Sequence, residues 1–108
     1  MTDARHFQVS TTVDSAEAAA DLARSAVEAR VAACGQVAGP INSVYWWEGK
    51  LDNATEWLVL FKTTAGRSAA LVDHLKTQHS YDVPEIIVTP VMGGNPAYLT
   101  WIDQETQG

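Results

Sequence analysis

Only one cysteine, Cys34, occurs in the 108 residues, so no disulfide can form within the chain and a reducing cytoplasm is the expected setting. Lysine and arginine total 7 against 13 acidic residues, a formal net charge of −6. Those cations are scattered and form no basic stripe, which argues against nucleic acid, because phosphate binding needs clustered Lys and Arg. No apolar run is long enough to span a bilayer and no signal-peptide apolar region is present, so no membrane partner is expected. Patterns of the G-x-S-x-G, H-E-x-x-H, C-x-x-C and phosphate-loop types are missing. His6, His74 and His79 lack metal-ligand spacing; the i+5 pair His74 and His79 does not share a helix face well. No catalytic residue is assigned, and the chain reads as a binding or assembly protein and not as an enzyme.

What is present is a globular composition, 46% hydrophobic and 19% charged. Residues 1–108 read as a single domain, since one core typically uses about 100–150 residues. A core of that size leaves little for a deep private pocket, so any ligand site is expected to be shallow or shared between subunits.

The most informative segment is Tyr45-Trp46-Trp47-Glu48-Gly49-Lys50. It closes an apolar run containing Ile41 and Val44, precedes a polar stretch from Leu51 to Thr55, and is followed by a strong strand from Trp57 to Thr63. That order predicts a β-hairpin, in which Tyr45 and Trp47 point one way while Val44 and Trp46 point the other. A small antiparallel sheet hides one face and wets the other. Here both faces carry a Trp, each worth roughly 150–250 Å² of surface, so the second face calls for cover from outside the chain.

Along the chain, Arg5 to Val13 reads as a first strand. Asp14 or Ser15 caps a helix running to about Ala33, with Glu17, Asp21, Arg24 and Glu28 on its polar stripe and small residues opposite. Arg30 falls within that apolar face, as a snorkelling side chain or a buried ion-pair partner. A long second strand, about Gly35 to Trp47, is interrupted by Gly39-Pro40, which signals a bulge or bend. The third strand, Glu56 to Thr64, is apolar on both faces, as a central strand covered on two sides would be. Gly66 opens a second helix with Leu71, Val72 and Leu75 on its buried stripe and His79 one turn later. Val83 to Val91, bracketed by Pro84 and Pro90, suits an edge strand. Asn95-Pro96 then starts a last short helix, Asn as N-cap and Pro at the first helical position. The order β-α-β-β-α-β plus a terminal helix predicts an α+β, ferredoxin-like split βαβ sandwich with one bare sheet face.

Five blocks carry a family resemblance: Arg30-Val31-Ala32-Ala33-Cys34, Ser43 to Lys50, Lys62-Thr63-Thr64, His79-Ser80-Tyr81-Asp82-Val83-Pro84-Glu85-Ile86, and Gly94 to Trp101. Together, from about residue 7 to residue 103, they resemble the CutA divalent-cation tolerance proteins. The resemblance implies a ferredoxin-like protomer in a tight homotrimer, similar in architecture to the PII signalling proteins. It also implies a role in tolerance of copper and other divalent ions, with copper bound at a Cys and His residues. Members with that site carry a Cys at the end of the first strand, where this chain has Ser10, and paired histidines after the second helix, where it has Gln78 then His79.

Candidate residues follow, each with a plainer reading beside it. His79 is a metal ligand by resemblance, or a satisfied core histidine. Cys34 is a second metal candidate, or a buried small hydrophobe. Arg30, Trp47, Glu48, Lys62, Tyr81 and Glu85 are candidates for a cleft between subunits. Lys62 lies in an apolar strand and needs an anion or a reach to water; Glu85 can pair with a cation across the assembly; Glu48 and Lys50 flank a turn and can be merely solvated. Trp47, with Tyr45 and Trp46, can be packing alone. No cofactor is required, and copper or another divalent cation is the candidate ligand. The competing reading is a PII-like trimer that binds a small anion through Lys62, Arg30 or Lys50.

Overall fold

A computed structural model describes residues 4–107. The elements run β1 (His6–Val13), α1 (Ala16–Glu28), β2 (Cys34–Trp47), β3 (Lys50–Thr64), α2 (Ser68–Gln78), β4 (Ile86–Val91) and α3 (Pro96–Glu105). The strands form one antiparallel sheet in the order β2-β3-β1-β4, the ferredoxin-like split βαβ arrangement expected from the element order. Alternation on β3 decides which face is the core. Val59, Phe61 and Thr63 are fully buried under α1 and α2 together with Val9, Leu71 and Leu75, while Leu58, Leu60 and Lys62 between them are half-buried. The sheet is therefore covered fully on one side and partly on the other, short of the two-sided cover read from the sequence.

Helix α1 starts where Ser15 Oγ accepts the Ala18 N–H at 3.0 Å and buries Ala19, Leu22, Ala23 and Ala26 at i, i+3, i+4 and i+7. It ends at Glu28, five residues short of the Ala33 read from the sequence. Arg30 adopts φ 63°, and its N–H reaches Val27 O at 3.0 Å while Val31 N–H reaches Ala26 O at 3.2 Å. These two bonds are a Schellman stop with Arg where Gly is usual. Arg30 is consequently not on the helix's apolar face. It is exposed and pairs with Glu105 Oε1 at 3.0 Å, tying the end of α1 to α3.

The hairpin also differs from expectation. Glu48 (φ 49°) and Gly49 (φ 78°) alone make the turn, both left-handed as a two-residue type I′ hairpin requires. Trp47 pairs with Lys50, so Leu51 to Thr55 continues β3 and is not a loop. Pairing with β1 begins only at Trp57, opposite Val13. Residues 41–47 and 50–56 thus project beyond the sheet as a two-stranded arm, paired only to each other. A register shift between Ala38 and Ile41 contains the cis Gly39–Pro40 bond.

Strand β4 starts at Ile86, three residues later than predicted, because Pro84 removes a donor and residues 79–85 are committed elsewhere. Helix α2 starts at Ser68 instead of Gly66. Helix α3 is capped by Asn95 Oδ1, which accepts Ala97 N–H at 3.1 Å, with Pro96 at its first turn. Its Tyr98 and Asp103 reach Cys34 and His6, so one end of the sheet face expected to be bare is covered by α3.

Candidate functional site

Two surface clefts among the described residues bear on the candidate residues. The larger, about 680 Å³, lies between the arm and the segment joining α2 to β4. The arm supplies Tyr45, Trp47, Asp52 and Glu56, and the segment supplies Tyr81, Asp82 and Glu85. Its four carboxylates have no Lys, Arg or His beside them in the lining. Glu56 is only 8% exposed. A carboxylate so deeply placed needs a donor, and Tyr81 Oη supplies one to Glu56 Oε2 at 2.9 Å. Burial, then that hydrogen bond and the carboxylate's charge, push the Tyr81 phenol well above its ordinary range.

His79 caps the C-terminus of α2 and turns its ring onto β1. Its Nδ1 accepts the Tyr81 backbone N–H at 3.1 Å. A backbone N–H can only donate, so Nε2 carries the ring proton and gives it to Thr12 O at 2.9 Å, with Thr11 Oγ1 at 3.1 Å. Both ring nitrogens are therefore engaged, and a metal bond at either would displace one of these partners. The His79 and Tyr81 rings lie 4.9 Å apart. His79 also borders the smaller cleft, about 380 Å³, with Asp21, Ser25 and Gln78.

Cys34 sits at the opposite end of the sheet. It pairs with Lys62, which pairs with Gln8, four residues along β1 from the Thr12 that holds His79. At about 3.3 Å per residue that separation is roughly 13 Å. The Cys34 thiol instead lies 3.6 Å from Tyr98 Oη. That contact, followed by burial, pushes the Tyr98 phenol up to about 12. Tyr98 stacks on Trp101 with ring centroids 5.5 Å apart. Lys62 Nζ donates to Gln36 Oε1 at 2.7 Å, and Glu48 is exposed in the hairpin turn.

Of the candidates from sequence, the cleft brings together Trp47, Tyr81 and Glu85, while Arg30, Glu48, Lys62, Cys34 and His79 lie outside its lining. Sequence reasoning missed Asp52, Glu56 and Asp82. Asp52 falls in the polar stretch before the third strand, and Glu56 looks like the polar start of that strand until Tyr81 closes over it. Among the described residues no group of three or more His, Cys, Asp or Glu side chains converges tightly enough to hold a metal ion. No helix among them is long and apolar enough to cross a membrane.

The sheet order, the two helices on one face and the paired-strand arm define a ferredoxin-like α+β protein with an acidic cleft under its arm. Residues 7–105 match the family described as "CutA1 divalent ion tolerance protein", and the chain belongs to that family. The divalent-cation tolerance protein CutA of Pectobacterium atrosepticum is 46% identical over 82 residues, covering 76% of this chain and 74% of the relative. The chloroplastic protein CutA 1 of Oryza sativa is 44% identical over 96 residues, 89% of this chain. This chain spans about half of that relative, 54%. The crystal structure of CutA1 from Oryza sativa superposes with a TM-score of 0.92 at 41% identity, covering 96% of this chain and 95% of that one. None of these names is enzymatic. They place relatives in more than one compartment, since a similar structure is that of the periplasmic divalent cation tolerance protein CutA from Archaeoglobus fulgidus.

Proposed function

We propose that this protein contributes to divalent-cation tolerance in the cytoplasm as a homotrimer whose acidic cleft holds cations loosely. The observation that carries the reading is the cleft lining, with Asp52, Glu56, Asp82 and Glu85 and no cationic side chain among its residues. All-oxygen donors suit hard cations such as Mg²⁺, Mn²⁺ or Ca²⁺, which keep several waters when carboxylates are few or dispersed. Copper prefers thiolate and imidazole. Cys34 on β2 and His79 at the end of α2 lie at opposite ends of the sheet, and Ser10 and Gln78 stand where copper-binding members are expected to carry Cys and His. Copper therefore binds here weakly and without special preference. Assembly is supported by the arm, where Val44, Trp46 and Leu51 on one face are 63%, 73% and 65% exposed and Trp47 on the other is 51% exposed. Apolar surface of that extent on both faces of a two-stranded arm is a signature of an interface.

The PII-like reading, a small anion held between subunits, draws less support. Arg30 is paired with Glu105 and Lys62 with Gln36, and neither lines the acidic cleft. Titration with Mn²⁺, Ca²⁺, Cu²⁺ and a panel of nucleotides, followed by tryptophan fluorescence and calorimetry, separates the two. Divalent cations should bind with Kd around 10⁻⁴ M or weaker, and nucleotides should leave the signal flat. One tight copper per subunit, or saturable nucleotide binding with no response to cations, would overturn the proposal.

A further inference from the structure

The residue that the family resemblance marks as a copper ligand is spent on something else in this chain. His79 bridges two backbones: Nε2–H donates to Thr12 O at 2.9 Å and Nδ1 accepts from Tyr81 N–H at 3.1 Å. Tyr81 in turn donates its hydroxyl to Glu56 Oε2 at 2.9 Å, across the cleft on the arm. Hydrogen bonds therefore link β1 to the imidazole and the imidazole to the Tyr81 backbone, and the Tyr81 side chain carries the path on to a carboxylate that is 8% exposed. We infer that His79 is a positioning residue for the acidic cleft, holding Tyr81 over Glu56, and that it acts on cation binding through that wall instead of through a metal–nitrogen bond.

The physical reasons are these. Strand β4 begins only at Ile86, so the wall between Gln78 and Ile86 is irregular and depends on local bonds for its shape. The ring grips it next to α2, at a point where side-chain stacking adds a second contact, the 4.9 Å approach of the two rings. Glu56 gains a donor from this wall, and loss of the donor leaves a buried carboxylate without it. Binding a metal at Nδ1 would take the lone pair now used by Tyr81 N–H, and binding at Nε2 would displace the ring proton held by Thr12 O. Ligation and positioning are therefore mutually exclusive at this side chain.

The inference rests on the cation-binding reading for its consequence but not for its geometry, and the test keeps the two apart. In the unaltered protein, ¹⁵N spectra of the histidines at neutral pH should show His79 protonated at Nε2 alone; a proton on Nδ1 would overturn the clamp without reference to any metal. In His79→Ala the Tyr81 amide should exchange with solvent about fivefold faster, the effect of one lost hydrogen bond; unchanged exchange would overturn it too. Titration with Mn²⁺ should then show weaker binding in His79→Ala and in Tyr81→Phe, with the double variant no weaker than the weaker single, because both act along one path. If the clamp measurements hold while the unaltered protein binds no Mn²⁺, the proposed function fails and the positioning role stands. Paramagnetic resonance of Cu²⁺ added to the unaltered protein should lack imidazole-nitrogen couplings assignable to His79. Couplings that vanish in His79→Ala would make it a ligand and refute the inference.

Discussion

Replacing Trp46 by serine tests the assembly directly. In the isolated chain Trp46 is 73% exposed, pairs across the arm with Leu51 at 65% exposure, and shares its face with Val44 at 63%. Taking ~250 Å² for a whole tryptophan, the uncovered part is about 180 Å². At ~25 cal/mol per Å², covering it in an assembly contributes up to about 4–5 kcal/mol per subunit. This is an upper figure, since some of the ring can stay wet and ordering the interface has its own cost. Each 1.4 kcal/mol is tenfold in an association constant, so the variant should associate roughly a thousandfold more weakly. The side chain makes little of the protomer's own core, so the isolated fold should survive, with circular dichroism close to that of the unaltered chain. Sedimentation equilibrium at micromolar concentration should return a trimer for the unaltered protein and monomers for Trp46→Ser. A folded monomer before substitution, or an equally tight trimer after it, would refute the reasoning.

Because folding and association are coupled in an obligate assembly, the melting temperature should rise with protein concentration in scanning calorimetry; a concentration-independent melt with dissociation preceding unfolding would contradict this. Gly39→Ala should destabilise by about 1–3 kcal/mol in chemical denaturation, because an added Cβ would lie 2.5 Å from Trp57 Cδ1 and 3.1 Å from Trp57 Cα, and the latter is backbone that cannot swing aside. In alkaline titration followed by tyrosinate absorbance, Tyr98 should ionise near pH 12 and Tyr81 later than an ordinary phenol. Both values are raised in the folded state, so the stabilisation they reflect is complete below the unfolded phenol value of about 10 and is lost as pH climbs through the folded values. Tyr81→Phe should remove part of that alkaline loss.

Much of the architecture was legible because local signals and the global fold agree. Ser15, Asn95-Pro96 and the apolar run from Trp57 to Phe61 each announce an element that is present, although β3 begins six residues earlier and α1 ends five residues sooner than the sequence suggests. The failures share a cause, which is that tertiary contacts replaced the local signal. Helix α1 stops at an arginine in the left-handed conformation, where the usual glycine would have announced the end, and Arg30 is held there with its guanidinium on Glu105. The polar run from Leu51 to Thr55 reads as loop by composition, yet pairing with Ile41 to Trp47 makes it strand. The acidic cleft was half visible. Trp47, Tyr81 and Glu85 stand in two of the blocks that carry the family resemblance, whereas Glu56 acquires its setting only when Tyr81, 25 residues away, reaches it. His79 was visible as a residue, read either as a metal ligand or as a satisfied core histidine, and nothing in its spacing tells that Nδ1 takes the Tyr81 N–H while Nε2 gives its proton to Thr12 O.

The bulge between Ala38 and Ile41 links the arm to the cleft. Before it, even-numbered residues of β2 face even-numbered residues of β3, as Cys34 faces Lys62 and Ala38 faces Leu58. After it the parity changes, and Ile41 faces Glu56, Tyr45 faces Asp52 and Trp47 faces Lys50. A one-residue slip sends every following side chain to the other face. The single extra residue is therefore what puts Tyr45 and Trp47 on the side of Asp52 and Glu56, lining the cleft, and sends Val44 and Trp46 to the other face of the arm, from which Val44 still borders the cleft. Without it the arm would offer the same aromatics with the faces exchanged, Trp46 beside the carboxylates and Trp47 turned outward. The bulge thus shapes the acidic cleft as much as the carboxylates do, and Gly39 belongs to it because only a residue without a Cβ lets the strand pass over Trp57.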